Sequence, residues 1–485
     1  MFYQKKVRLL MEKKYLTKGL LGKIVVYFGI ISIVIYFAAY HQIYYNTYEQ
    51  IQSENDGNIG SIIDNAIVDQ YFQYNGDYIR TIDVKVGTYA RINEGVINIT
   101  LKSVADGKII WEGKQNLNTL EDNSDMSLPV NKEIADGKTE FLLEFQSKGC
   151  TQESSITMYT KSANEVHHGE LFVNGEQIDA ELEMSVYGDK RSTWGEYYWG
   201  YVLIILIIIV IIYICQEKKE KNGRAGWLHN WCYTLNTYEF MMKQLISRDF
   251  KTKYKRSVLG MCWSFLNPLL TMIVQYVVFS TLFRGNIRNY PVYLLSASIL
   301  FSFFTEAVGG GLVSVVGNAS LIKKVYAPKY IYPVTKVLST SINLLISLVP
   351  LFVVVLITGE RINKAYLLIP YVLICLILFC VGMSLILSSL MVFFRDVQFL
   401  WSIVSLLWMY ATPMFYPETI IPEHFRFVFD FNPMYHYITF FRTIILNYSS
   451  PQMSEYVCCA AFSLLFCMIG VLIFSRTQKR FVLYL

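Results

Sequence analysis

Between Arg248 and Leu270 the chain runs RDFKTKYKRSVLGMCWSFLNPLL, a cluster of basic side chains, a Trp and an Asn-Pro break that opens an apolar run. Those residue types in that order can bind phosphate headgroups and then enter a bilayer. Arg248, Lys251, Lys253, Lys255 and Arg256 suit anionic headgroups, Leu245, Phe250 and Val258 the acyl boundary, and Trp263 the interfacial depth. Pro268 lacks a backbone donor and should kink or start the span. An ordinary juxtamembrane anchor has the same composition, so the pattern alone leaves both readings open. A second candidate is Glu306 in FSFFTEAVGG, an ionisable group in an apolar stretch, facing a water-filled path, a partner helix or an interface. Gly309, Gly310 and Gly311 follow it, where a weakened helix allows motion or close packing. Aromatic rings are a third resource. Tyr276, Phe279 and Phe283 share one helical face, as do Trp401 and Trp408, and such faces can slide along sugars or pack against helices.

Enzyme chemistry finds no support. The text nearest to a phosphate-binding loop, Gly137-Lys138-Thr139, has Lys132 where the first Gly should stand. Adjacent His167 and His168 point to opposite faces of a strand, and the nine Cys lack metal-ligand spacing, so no metal or cofactor is assigned to this chain.

The elements that position these residues follow from apolar runs and Lys/Arg placement. The chain is 53% hydrophobic, 15% aromatic and only 17% charged, which fits a polytopic membrane protein. Basic residues precede an apolar stretch at Ile24–Tyr40, an uncleaved anchor since Phe37 stands where a signal peptidase needs a small residue. A second span, Tyr198–Cys215, is stopped by Lys218, Lys219, Lys221 and Arg224. Six more follow: Met261–Phe283, Val292–Val316, Val334–Thr358, Ala365–Phe394, Val397–Phe415 and Tyr456–Phe474. The positive-inside rule then puts both termini in the cytoplasm of a plasma-membrane protein. The stretch 417–447, Pro-broken and polar, suits a re-entrant segment.

Residues 41–195 differ in kind. Short β-branched runs separated by DG and NG turns predict an all-β, antiparallel sandwich outside the cell. This region holds 25 acidic and 12 basic residues, a net charge of −13, which describes either a well-solvated surface or one that repels polyanions. Its aromatics, Tyr74, Tyr89 and Trp111 foremost, can stack on sugars or fill the core. The expected layout is a basic tail and anchor at 1–40, this domain at 41–195, a span at 196–216, a linker and surface helix at 217–260, and a six-span body at 261–485.

The run from Arg248 to Leu269 resembles the signature of ABC transporter permeases that export O-antigen, capsule and teichoic acid, through Arg248, Asp249, Lys251, Tyr254, Lys255, Ser257, Leu259, Gly260, Trp263, Asn267, Pro268 and Leu269. Lys253 and Arg256 depart from it. Two further blocks agree, Asn318–Pro333 and Arg395–Pro417, followed by Asn432-Pro433 and Arg442. The resemblance covers Asn236 to Leu485 and implies a homodimeric permease, with two copies of a separate ATPase that carries the ATP and Mg chemistry. It implies a lipid-linked glycan as cargo, teichoic-acid-like polymers as an alternative, and no nucleic acid. Arg248, Asp249, Lys251, Tyr254, Lys255, Lys323, Lys324 and Tyr326 are the expected ATPase contacts. Trp263, Asn267, Pro268, Tyr276, Phe279, Phe283, Glu306, Trp401, Trp408 and Arg442 are the expected channel or gate. A membrane-anchored glycan-binding scaffold that does not transport is the reading from another class.

Overall fold

The computed structural model describes residues 18–51, 56–134, 139–162, 169–222, 227–255, 257–260, 262–283, 289–324, 327–360, 362–417, 420–421, 424 and 427–485. Tyr326, Arg256, Lys138 and the His167-His168 pair lie outside them. The chain forms two compact units, His41–Tyr198 and the remainder.

The first unit is all-β. Its strands are β1 (Tyr45–Ile51), β2 (Ile67–Gln73), β3 (Tyr78–Gly87), β4 (Val96–Ser103), β5 (Ile109–Asn116), β6 (Ser124–Leu128), β7 (Glu140–Lys148), β8 (Thr157–Ser162), β9 (Glu170–Val173), β10 (Glu176–Ile178), β11 (Ala180–Leu182) and β12 (Met184–Arg191). One sheet runs β1-β12-β3-β8-β11, with β6 and two two-residue strands also attached, and the other runs β10-β9-β2-β7-β4-β5. Strict alternation of burial along β2, β4 and β7 sends Val68, Phe72, Ile97, Ile99, Leu101, Phe141, Leu143 and Phe145 into one core with Ile82, Val84 and Val186 of the other sheet. The first and last strands pair in register, Tyr45 against Arg191, so the chain enters and leaves side by side. Asp189, wholly buried, holds Arg80 from β3.

The second unit is helical. Seven of its described helices are long and apolar enough to cross a membrane: α1 (Lys18–Ala38), α2 (Tyr198–Lys221), α4 (Cys262–Phe283), α5 (Tyr290–Gly317), α7 (Ile331–Ile357), α8 (Ile369–Phe393) and α11 (Met453–Thr477). Between them lie α3 (Trp227–Tyr254), α6 (Ala319–Lys324), α9 (Val397–Tyr410) and α10 (Pro433–Leu446). The span expected at Val397–Phe415 is present as a shorter apolar helix, which runs beside α5 from Gly309 to the Tyr290 end. Its helix has 14 residues, about 21 Å against the ~30 Å of a hydrocarbon core. The chain breaks at Thr412-Pro413 and turns back into α10.

Close backbone approach organises this unit. A methyl group on Gly382 of α8 would lie 2.4 Å from the backbone of Phe466 in α11, and one on Gly470 would lie 2.4 Å from the Gly382 oxygen. Only paired glycines let these helices meet at that distance. Pro268 sits inside α4 and leaves the Ser264 carbonyl without its helical donor; Ser347 of α7 supplies one, Oγ to O, at 3.2 Å.

Candidate functional site

The basic run folds into the last turns of α3, a helix of 28 residues. Leu245, expected at the acyl boundary, instead packs in a buried cluster with Ile331 and Tyr332, flanked by Tyr238, Met241 and Met242. The physical reason is that the apolar side chains of Leu321, Ile322, Tyr330, Ile331 and Tyr332 cover that face of α3. Tyr330 adds a hydrogen bond from its hydroxyl to Thr234 Oγ1 at 2.9 Å.

Charged pairs continue the seat. Arg248 Nη2 donates to Asp249 Oδ1 at 2.9 Å and to Asn318 Oδ1 at 3.2 Å. Asp249 Oδ2 lies 3.6 Å from Lys336 Nζ of α7, and one helical turn further on Lys253 Nζ donates to Glu306 Oε1 of α5 at 2.6 Å. On α5 the same one-turn spacing recurs, since the Lys336 stem crosses Gly310, with Cε 2.8 Å from where a Cβ would stand. A two-rung ladder thus ties α3 to two spans. Glu306 and Lys253 are each nearly half exposed, so the pair adds at most ~1 kcal/mol to stability. Its value lies in register and in the ease with which water can break it.

Beside the lower rung opens a cavity of about 350 Å³, bounded by Lys253, Trp263, Asn267, Pro268 and Glu306, by the small polar side chains of Ser264, Thr271, Ser298, Ser302, Thr340, Asn343 and Ser347, and by apolar Ile299, Phe303 and Leu344. Four sequence candidates, Trp263, Asn267, Pro268 and Glu306, are brought together here. Hydroxyls and amides from three spans, one cation, one carboxylate and one indole thus face an apolar wall across a single pocket.

The other aromatic candidates are not among the residues that line this cavity. Trp401 and Trp408 of α9 meet Phe304 of α5 edge-on at 5.7 and 5.1 Å, so their shared face is turned onto α5. Each of the three glycines accommodates a neighbour: Gly309 the Trp401 indole, Gly310 Lys336 and Gly311 Ser384. Phe279 stacks on Phe415 at 5.2 Å and Tyr276 lies 6.1 Å from Tyr290. Phe283 ends α4.

At the Tyr290 end of α5 the chain reversal after α9 is held by Arg442. This side chain is buried, donates to the carbonyls of Pro413 at 2.7 Å, Met414 at 3.0 Å and Tyr293 at 3.1 Å, and lies 3.4 Å over the Tyr293 ring. Arg442, expected at the channel or gate, thus staples the reversal to the start of α5 through backbone carbonyls. Asn432 caps α10, accepting from Met434 N at 3.1 Å and Tyr435 N at 3.4 Å with Pro433 at the first position, and its Oδ1 also receives Trp408 Nε1 at 2.7 Å.

Residues 241–446, which include the ladder, the cavity and the reversal, match the family model described as ABC-2 type transporter. An O-antigen export system permease protein RfbA of Myxococcus xanthus is 30% identical over 249 residues, 51% of this chain and 96% of that protein. One of the same description from Klebsiella pneumoniae is 29% identical over 251 residues, again 51% of this chain and 96% of its own length. The chain belongs to the ABC-2 type transporter family. As a member it is a multi-pass membrane transport protein, and the family implies an ABC ATPase partner.

Within this permease, Lys251, Lys255, Lys323 and Lys324 are exposed, whereas Asp249 is drawn into the ladder. Tyr254 closes α3. In the β unit, Tyr74 is corrected from sugar contact to core: it is wholly buried, donates its hydroxyl to Tyr78 O at 3.2 Å, and burial raises its pKa. Trp111 leans on the same core over Gly113. Tyr89 is exposed, at a positive φ of 56°, with Arg91 5.2 Å over its ring. Sequence reading missed Lys336 and Ser347 because their partners lie 87 and 83 positions away along the chain. The signal available was a lone Lys near the start of an apolar span.

Proposed function

We propose that this permease is the transmembrane subunit of an ABC exporter that moves a lipid-linked polysaccharide from the cytoplasmic to the outer face, driven by ATP hydrolysis in a separate subunit. The observation that supports it most is the match to O-antigen export permeases over 96% of their length. In this reading two copies of the chain form the path and two ATPase subunits press on α3 and on the exposed Lys323 and Lys324 of α6. A push on α3 reaches α5 and α7 through Lys253–Glu306 and Asp249–Lys336, and the cavity beside Glu306 receives the polar head of the lipid-linked cargo. With both termini cytoplasmic, the β unit lies outside. Its acidity, 25 acidic against 12 basic residues over 41–195, favours a neutral glycan over a phosphate-rich polymer.

The test is ATP hydrolysis by the co-purified complex in lipid nanodiscs, with and without lipid-linked glycans. Stimulation by a neutral glycan is expected, and unstimulated hydrolysis would turn the reading towards a non-transporting scaffold. Replacing Lys323 and Lys324 by Glu should abolish co-purification of the ATPase; unchanged recovery would remove α6 from the contact.

A further inference from the structure

His436 of α10 is 4% exposed, and both of its ring nitrogens face oxygen acceptors. Nδ1 lies 3.0 Å from Glu455 Oε2 in the first turn of α11, and Nε2 lies 3.0 Å from the carbonyl oxygen of Asp430. Asp430 ends a single helical turn, Phe427–Asp430, that stands just before the Asn432 cap. Three pieces of chain therefore meet on one imidazole: that turn, α10 and α11. The ring stacks on Phe462 of α11 at 5.5 Å, and Tyr435 meets it edge-on at 5.5 Å. The other ionisable groups close by are the Asp430 carboxylate and Cys458 of α11, which lies in the field of both carboxylates. Among the described residues no Lys or Arg pairs with Glu455, so His436 is its counter-charge.

A neutral imidazole carries one N–H, so it can donate to only one of these oxygens. The arrangement therefore holds one proton more than a neutral ring beside a carboxylate, and that proton is shared between Nδ1 and Oε2. Without it a nitrogen lone pair and a carboxylate oxygen face each other at 3.0 Å in a closed site, where unpaired polar atoms are costly. The helix α10 is not one of the seven long spans. Burial works against the charge on His436, but the bond to Glu455 and the Asp430 carbonyl, with both carboxylates behind them, outweigh it and raise its pKa above the ordinary value. A raised pKa sets the sign. The stabilisation is complete below about 6.5, where an unfolded histidine titrates, and is lost as pH rises through the higher native value.

We propose that His436 is a proton-dependent latch on the chain reversal: with its proton it clasps the 427–430 turn and α10 to α11, and when the proton leaves the α11 side lets go. Arg442, on the same helix, keeps its grip on the reversal throughout, because a guanidinium does not titrate in this range. His436 is thus the part of this seam that the surrounding medium can address. On the reading that places both termini in the cytoplasm, this end of the permease faces outward and the latch answers to the outer medium. The proton response itself does not depend on that reading.

The experiment is hydrogen–deuterium exchange of the full-length protein in nanodiscs, read by mass spectrometry from about pH 6 to about pH 9 and corrected for the intrinsic pH dependence of amide exchange. Both faces of a nanodisc meet the same buffer, so the result is independent of orientation and of transport. Amides of the 427–440 stretch should lose protection several-fold towards the alkaline end, while those of α8 keep theirs. In Glu455→Gln, a change at the rim of the site where the side chain is 22% exposed, protection of the same stretch should start lower and stay flat with pH. His436→Gln should behave likewise, and if it does not fold Glu455→Gln decides alone. Constant protection of this stretch in the original protein, protection that rises with pH, or a Glu455→Gln protein that loses protection as the original does overturns the latch.

Discussion

The permease holds its irregular parts with two polar seams built on opposite plans. At the Tyr290 end of α5, Arg442 and Asn432 are buried and spend their donors and acceptors largely on backbone groups: Pro413, Met414 and Tyr293 for one, Met434 and Tyr435 for the other. At α3, Lys253–Glu306 and Asp249–Lys336 join side chain to side chain, and the first pair is nearly half exposed. Backbone carbonyls left bare in an apolar interior have no alternative partner, so the first seam fixes a shape. Exposed ion pairs exchange readily with water, so the second permits two arrangements of the same parts. In the proposed transport cycle, the difference separates what stays still from what moves when the ATPase acts.

The sharpest way to break this contrast is Arg442→Ala. It strips charge-assisted donors from three carbonyls, and a loss of at least about 3 kcal/mol is expected, read as a large drop in the unfolding midpoint in detergent. A variant as stable as the original would deny the staple. Asn432→Ala should follow with about 1–2 kcal/mol, since a helix cap is lost together with the acceptor for Trp408. Smallest in stability is Lys253→Ala, at most ~1 kcal/mol, yet it should uncouple ATP hydrolysis from glycan stimulation. The exchanged pair Lys253→Glu with Glu306→Lys should restore part of that coupling. If the exchange recovers nothing while each variant folds, the lower rung does not carry the motion.

Legibility in the sequence followed the range of the interaction. Period-two alternation in ELFV, VINITLKS and EFLLEFQSK shows which side chains enter the β core, and apolar runs locate the long helices, because both depend on near neighbours. Position Tyr74 misled, since an aromatic at the end of a strand suits a sugar or a core equally well until Tyr48 and Tyr78 are placed around it. Only the length of the Val397–Phe415 helix was illegible, because hydropathy does not register the break at Thr412-Pro413 that Arg442 and Asn432 stabilise from a later helix. Glu306 was legible as a site but not as a rung, because Lys253 sits in what the sequence presents as a headgroup-facing cluster.

The pairing of Tyr45 with Arg191 bears on how such a chain can arise. A folded module whose two ends leave through one hydrogen-bonded strand pair can be spliced into a tight connection between helices, or removed from it, in a single genetic step without stretching either flank. A chimera that joins α1 to α2 by a short turn should then still assemble its helices.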